Sequence, residues 1–173
     1  GQGFTKRLKQ QIRVKSGSTI FTYKVNNPQD YGIVEIKKNK IISIKEKPKN
    51  SKSDLAITGL YFFDKNVVNF SKKLKPSKRK ELEIVDLIKK YLKIKKLKVE
   101  FMGRGSAWLD TGNAESLFET SQFISSIEKR QGIKIACLEE IAFNNKWISK
   151  STVEKQIKFY GNCYYSDYLK KLL

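Results

Sequence analysis

The chain has 173 residues, 39% hydrophobic and 12% aromatic, which suits one ordinary globular domain and not a disordered segment. It contains no histidine, which excludes a Ser-His triad and the usual catalytic zinc site. A net charge of +19 raises nucleic-acid binding, but 31 of the 36 basic residues are lysines spread along the chain, which favours a solvated basic surface.

Residues 4–14 are expected to be helical, with Phe4, Leu8 and Ile12 four apart on one face. Thr19 to Val25 is rich in β-branched and aromatic residues and reads as a strand. After the turn cluster Asn26 to Asp30, Tyr31–Ile36 and Ile41–Lys47 form a hairpin joined at Lys37 to Lys40. A polar loop from Pro48 to Asp54 precedes Leu55 to Phe63, whose continuous apolar run predicts a strand buried on both faces. Helical spacing marks Asn66–Leu74 and Glu83–Lys95, then Val99–Met102 is a short strand. A glycine-punctuated loop, Gly103 to Gly112, leads to a long helix capped by Asn113, striped by Leu117, Ile124 and Ile127, and stopped near Arg130 by Gly132. Ser151-Thr152-Val153-Glu154 predicts a capping box for another helix, and Tyr164–Leu173 a terminal one. Strands mixed with helices and followed by a helical tail indicate an α/β fold.

No apolar run approaches the roughly 18 residues of a membrane span. Gly1-Gln2-Gly3-Phe4 has no initiator Met and no secretory leader, so a missing upstream segment is expected. Cys137 and Cys163 form no metal-like cluster, which fits a reduced, cytoplasmic protein.

Four segments carry chemistry. Gly32, at the mouth of a strand, is either a hairpin glycine or a bare backbone that a ligand approaches closely. Glu46-Lys47-Pro48 is either a surface charge pair or an acceptor for sugar hydroxyls beside a cation for a phosphate, at the strand end where α/β sheets bind ligands. In Ala56 to Tyr61, only Thr58 and Gly59 suggest a ligand-facing backbone. In Trp108 to Gly112, Asp110 is either an N-terminal helix partner or a Mg²⁺ ligand.

In order, Tyr31–Glu35, Glu46–Pro48, Thr58–Tyr61, Leu74–Ile84 and Gly103–Gly112 resemble the sugar-1-phosphate nucleotidyltransferase family, in particular its bacterial glucose-1-phosphate thymidylyltransferases. Ile127 to Gly132 and Glu139 to Phe143 are similar to the same family. The resemblance implies the C-terminal part of a Rossmann-like mixed sheet with a helical tail. It divides the chain into an incomplete nucleotidyltransferase domain, 1–112, and a helical oligomerisation region, 113–173. It further implies that Gly32, Glu46, Ile57, Tyr61 and Trp108 meet the sugar, that Lys47 and Arg79 hold its phosphate, and that Asp110 binds Mg²⁺. The implied substrates are dTTP and glucose 1-phosphate, and the implied partner is a further copy of the chain. The family's glycine-rich triphosphate loop and second metal-binding aspartate do not occur in this sequence. The chain is therefore expected to be truncated and inactive alone, either a fragment or one half of a protein whose N-terminal half is separate. It is also expected to aggregate, because the strand neighbours of Leu55–Phe63 should include strands from the missing part. A non-catalytic remnant and a basic nucleic-acid module are the alternatives; in the latter, Arg79 is one solvated charge of the Lys72–Lys80 cluster.

Overall fold

A computed structural model describes residues 3–13, 15–103 and 105–173; Gly1, Gln2, Val14 and Arg104, which fall within expected motifs and elements, lie outside the described residues. The chain forms two compact units, Gly1–Trp108 and Leu109–Leu173.

In the first unit, helix α1 (Phe4–Ile12) precedes strand β1 (Ser18–Lys24). The hairpin is β2 (Gly32–Lys37) and β3 (Lys40–Glu46). Lys38 and Asn39, both with positive φ, make its two-residue turn, matching the right-handed strand twist. Strand β4 (Leu55–Phe63), helices α2 (Val67–Ser71) and α3 (Ile84–Lys93), and strand β5 (Leu97–Phe101) complete the unit. The sheet order is β3-β2-β4-β1-β5, with β5 parallel to β1 and the other pairs antiparallel.

Alternation along β1 sends Ile20 to one face and Phe21 to the other. Ile20 joins Val34, Ile44 and Ile57 of the sheet and Val85 and Ile88 of α3 in the core. Phe21 meets Phe4 of α1 edge-on at 5.8 Å. The carboxylate of Asp64, just past β4, accepts from the backbone of Gly17 at 2.7 Å, from Tyr91 of α3 at 2.8 Å, and from Asn66. Burial opposes its ionisation, but these bonds together hold its pKa below the usual aspartate value.

Two expectations about β4 fail. Its neighbours, β1 and β2, both come from this chain, so the proposed reason for aggregation does not hold. It is also not buried on both faces: Ala56 and Ile57 are buried, Gly59 is exposed, and Leu60 to Phe63 are half-buried.

The second unit contains α4 (Ala114–Gln131), α5 (Leu138–Asn144), α6 (Lys150–Tyr160) and α7 (Tyr164–Lys170). Asn113 Oδ1 caps α4 by accepting from Ser116 N–H at 2.9 Å, and Gly132 ends it in a left-handed conformation. No residue of α4 is fully buried, and Leu117 of the expected stripe is 53% exposed. The cap of α6 is Ser149, which accepts from Thr152 N–H, and not the expected Ser151. The small core joins Cys137, Val153, Tyr168 and Leu169. Tyr160 and Tyr165 hydroxyls both donate to Glu139, and Tyr168 donates to Glu140. Among the described residues, no helix is long and apolar enough to cross a membrane.

Candidate functional site

An open cleft of about 500 Å³ lies between the end of β3 and the segment leading into α3, lined by Glu46, Lys47, Pro48, Ser77, Arg79 and Glu83 among others. Strand β3 delivers Glu46 as its last residue, opposite Gly32 of β2. Lys47 follows with φ 40°, in the left-handed region that a non-glycine residue seldom adopts. Its N–H donates to the Tyr31 carbonyl at 3.0 Å, which fixes the backbone where the side chain departs.

Arg79 reaches the cleft from a turn closed by Ser77 N–H to Glu81 O, at 2.8 Å, and Lys80 N–H to Ser77 O, at 2.9 Å. Its Nε and Nη2 donate side by side to Glu83 Oε1 and Oε2, at 3.1 and 3.0 Å. Glu81 lies 2.9 Å from Nη2, and Glu46 lies 3.8 Å away. Arg79 is exposed, its side chain 44% accessible, but it is a paired charge, with carboxylate oxygens of Glu46, Glu81 and Glu83 within 4 Å of Nη2. Its hydrogen bond to Glu83 is the main influence favouring its charged form. The same bond holds the Glu83 carboxyl below its usual value, helped by Ser77. Glu46 moves the other way: burial and then the charge of Glu83 raise its pKa, against the pull of Arg79 and Lys47.

Gly32 is close-packed. A Cβ built there would fall 2.9 Å from Val85 Cγ2 and 3.1 Å from Glu46 Oε2. The Ile57 side chain belongs to the core beneath it. Tyr61 packs against that core, and burial, followed by the charge of Glu46, raises its hydroxyl pKa. A bulge in β4 opposite Ile20/Thr22, where Gly59 has φ 78°, interrupts the pairing to β1. The Thr58 carbonyl there accepts from the Trp108 indole at 3.1 Å, and the indole also meets the Tyr31 ring at 5.0 Å. Gly32, Glu46, Lys47, Ile57, Tyr61, Arg79 and Trp108 all belong to the first unit.

Asp110 belongs to the second unit. It is exposed and is not the cap of α4, a role Asn113 fills. Among the described residues, no group of three or more His, Cys, Asp or Glu side chains forms a metal site. Mg²⁺ is commonly held by one or two carboxylates plus substrate phosphates, and a hard, exposed carboxylate released from capping fits that donor chemistry. A hollow of about 610 Å³ within the second unit, lined by Glu128, Ile133, Tyr164 and Tyr168 among others, contains none of these residues.

Sequence reasoning missed Glu83 and Ser77 as parts of the site. Both lie in the Leu74–Ile84 motif, but only the turn geometry brings them to Arg79.

A family profile described as nucleotidyl transferase matches residues 1–127. Glucose-1-phosphate thymidylyltransferase of Neisseria meningitidis is 48% identical over 174 residues, spanning 100% of this chain and 60% of the relative. The protein of the same name from Xanthomonas campestris is 45% identical over 156 residues, 90% of this chain and 53% of the relative. A crystal structure from Bacillus anthracis, provisionally named as the same enzyme, matches with a TM-score of 0.59 at 36% identity, covering 70% of this chain and 48% of that one. The chain thus spans at most 60% of the length of these relatives.

Proposed function

We propose, from the premise that this chain belongs to the nucleotidyl transferase family, that it carries the sugar-phosphate side of a glucose-1-phosphate thymidylyltransferase site. The reaction is attack by a phosphate oxygen of glucose 1-phosphate on the α-phosphorus of dTTP, with pyrophosphate leaving. Such a displacement needs positioned, neutralised anions more than proton transfer, so a histidine-free chain suits it.

Lys47 and Arg79 hold the sugar phosphate, Lys47 as a point charge and Arg79 through its planar fork. Glu46 accepts from sugar hydroxyls, Gly32 and Ile57 meet the sugar through backbone, and Tyr61 and Trp108 shape its pocket. Asp110 would hold Mg²⁺, which when bound offsets charge on the α-phosphate. The helical second unit makes subunit contacts in a homo-oligomer. Supporting that part, Leu138, Trp147, Phe159 and Tyr164 are 74–92% exposed, a large apolar surface for a small unit.

The observation that carries the reading is the convergence of Glu46-Lys47, at the end of β3, and Arg79, from the turn before α3, on one open cleft. Calorimetric titration tests it. Glucose 1-phosphate should bind roughly tenfold or more tighter than glucose, and Arg79→Ala and Lys47→Ala should each remove most of that preference. Equal binding of both sugars, or a preference untouched by either substitution, would overturn it.

A further inference from the structure

We infer that Glu83 is a positioning residue for Arg79, and that Glu81 is an exchangeable counter-ion which the sugar phosphate displaces; this rests on the reading of the cleft as a sugar-phosphate site. One guanidinium faces three carboxylates, and they are not equivalent. Glu83 makes both parallel hydrogen bonds, and its side chain is 11% exposed. It also accepts from Ser77 Oγ at 2.7 Å, while Ser77 Oγ accepts from the Arg79 backbone N–H at 3.1 Å. Ser77, Arg79 and Glu83 thus form a closed ring that fixes the guanidinium plane. Fixing a long side chain beforehand removes part of the entropy cost of binding an anion.

Glu81 is different. It is 2.9 Å from Nη2 without hydrogen-bond alignment, and its side chain is 62% exposed. An exposed ion pair of this kind contributes little. Glu46, at 3.8 Å, makes no hydrogen bond to Arg79. With Nε and one side of Nη2 committed to Glu83, the end-on fork of Nη1 and Nη2 is left, and Nη1 has no hydrogen-bond partner among the described residues. A phosphate needs that fork, and its arrival places a second anion against Glu81. Exchange at Glu81 with retention at Glu83 keeps the cation paired throughout.

The test is glucose 1-phosphate binding to the full chain by calorimetry. Glu83→Gln should weaken binding by roughly tenfold, the scale of one charge-assisted pair. Glu81→Gln should tighten binding severalfold, because a competing anion is removed. In an Arg79→Ala background, Glu83→Gln should have no further effect, whereas a merely structural role would persist there. The inference is overturned if Glu83→Gln binds like wild type, if its effect survives in Arg79→Ala, or if Glu81→Gln weakens binding. Wild type that does not bind glucose 1-phosphate, or Arg79→Ala that binds like wild type, overturns the sugar-phosphate reading itself and this inference with it. A second readout needs no variant. Nuclear magnetic resonance of wild type titrated with inorganic phosphate should shift the Arg79 Nη protons and leave Nε–H bonded; a Nε–H that moves equally contradicts retention at Glu83.

Discussion

The proposed function gives Lys47 the sugar phosphate and Asp110 the Mg²⁺, and on that reading their substitution should fail in different ways. The suitable protein is a chimera joining this chain to the portion of the Neisseria meningitidis relative that it does not match. Asp110→Asn is nearly isosteric, and the cap of α4 belongs to Asn113, so folding should be unchanged while pyrophosphate release falls steeply. Weaker anionic ligation is partly offset by mass action, so high Mg²⁺ should restore some activity. Lys47→Ala should instead raise KM for glucose 1-phosphate, with no rescue by Mg²⁺. If Asp110→Asn unfolds the chimera yet leaves turnover per folded molecule normal, Asp110 is structural. Gly32 makes a separate demand. A methyl group 2.9 Å from Val85, which is 1% exposed, overpacks the core, so Gly32→Ala should cost about 1–3 kcal/mol in denaturant unfolding. An unchanged midpoint would mean that Val85 and Glu46 move aside freely.

Helix α4 ends in a charge clamp whose pH dependence has a definite sign. Glu128 accepts from Lys134 Nζ at 2.6 Å and from Ile135 N–H at 2.9 Å. The Lys134 hydrogen bond chiefly, and Ile135 next, hold its carboxyl below the ordinary glutamate value of 4.5. A depressed folded pKa means the unfolded chain takes up the proton first, so the clamp stabilises fully above 4.5 and is lost as pH falls through the folded value. Unfolding measured across pH should show wild type more stable than Glu128→Gln near neutrality, with the difference closing as pH falls below 4.5. A difference that grows on acidification contradicts the clamp. The elements themselves were mostly legible. Leu55–Phe63 is the strand expected from its apolar run, and the Asn113 and Gly132 signals bound α4 as read. Helix α5 was not assigned: it has seven residues, and its cap, Cys137, makes no side-chain capping bond. The start of α6 was misplaced because Ser149 and Ser151 both precede a possible first turn, and only the bond from Thr152 selects Ser149. The Glu83 role was hidden for another reason, since it depends on a left-handed Lys80 that folds the turn back.

At the scale of the molecule, the five-stranded sheet places the ends of β2 and β3 beside the entry to α3, and the cleft follows from that topology. The exposed edges are β3 and β5, not the apolar β4, so order in the first unit does not depend on a partner for that strand. The motifs pointed to the cleft, but the pairing of its charges was beyond them, because the Arg79 partners are chosen by backbone geometry. Pyrophosphate release by the chimera supplied with dTTP, glucose 1-phosphate and Mg²⁺ decides whether this cleft serves the transfer. The expected result is release that requires glucose 1-phosphate and collapses by roughly 10²-fold or more in Arg79→Ala, the scale of removing one preorganised charge stabiliser. A folded chimera whose release is independent of glucose 1-phosphate, or untouched by Arg79→Ala, would contradict the account.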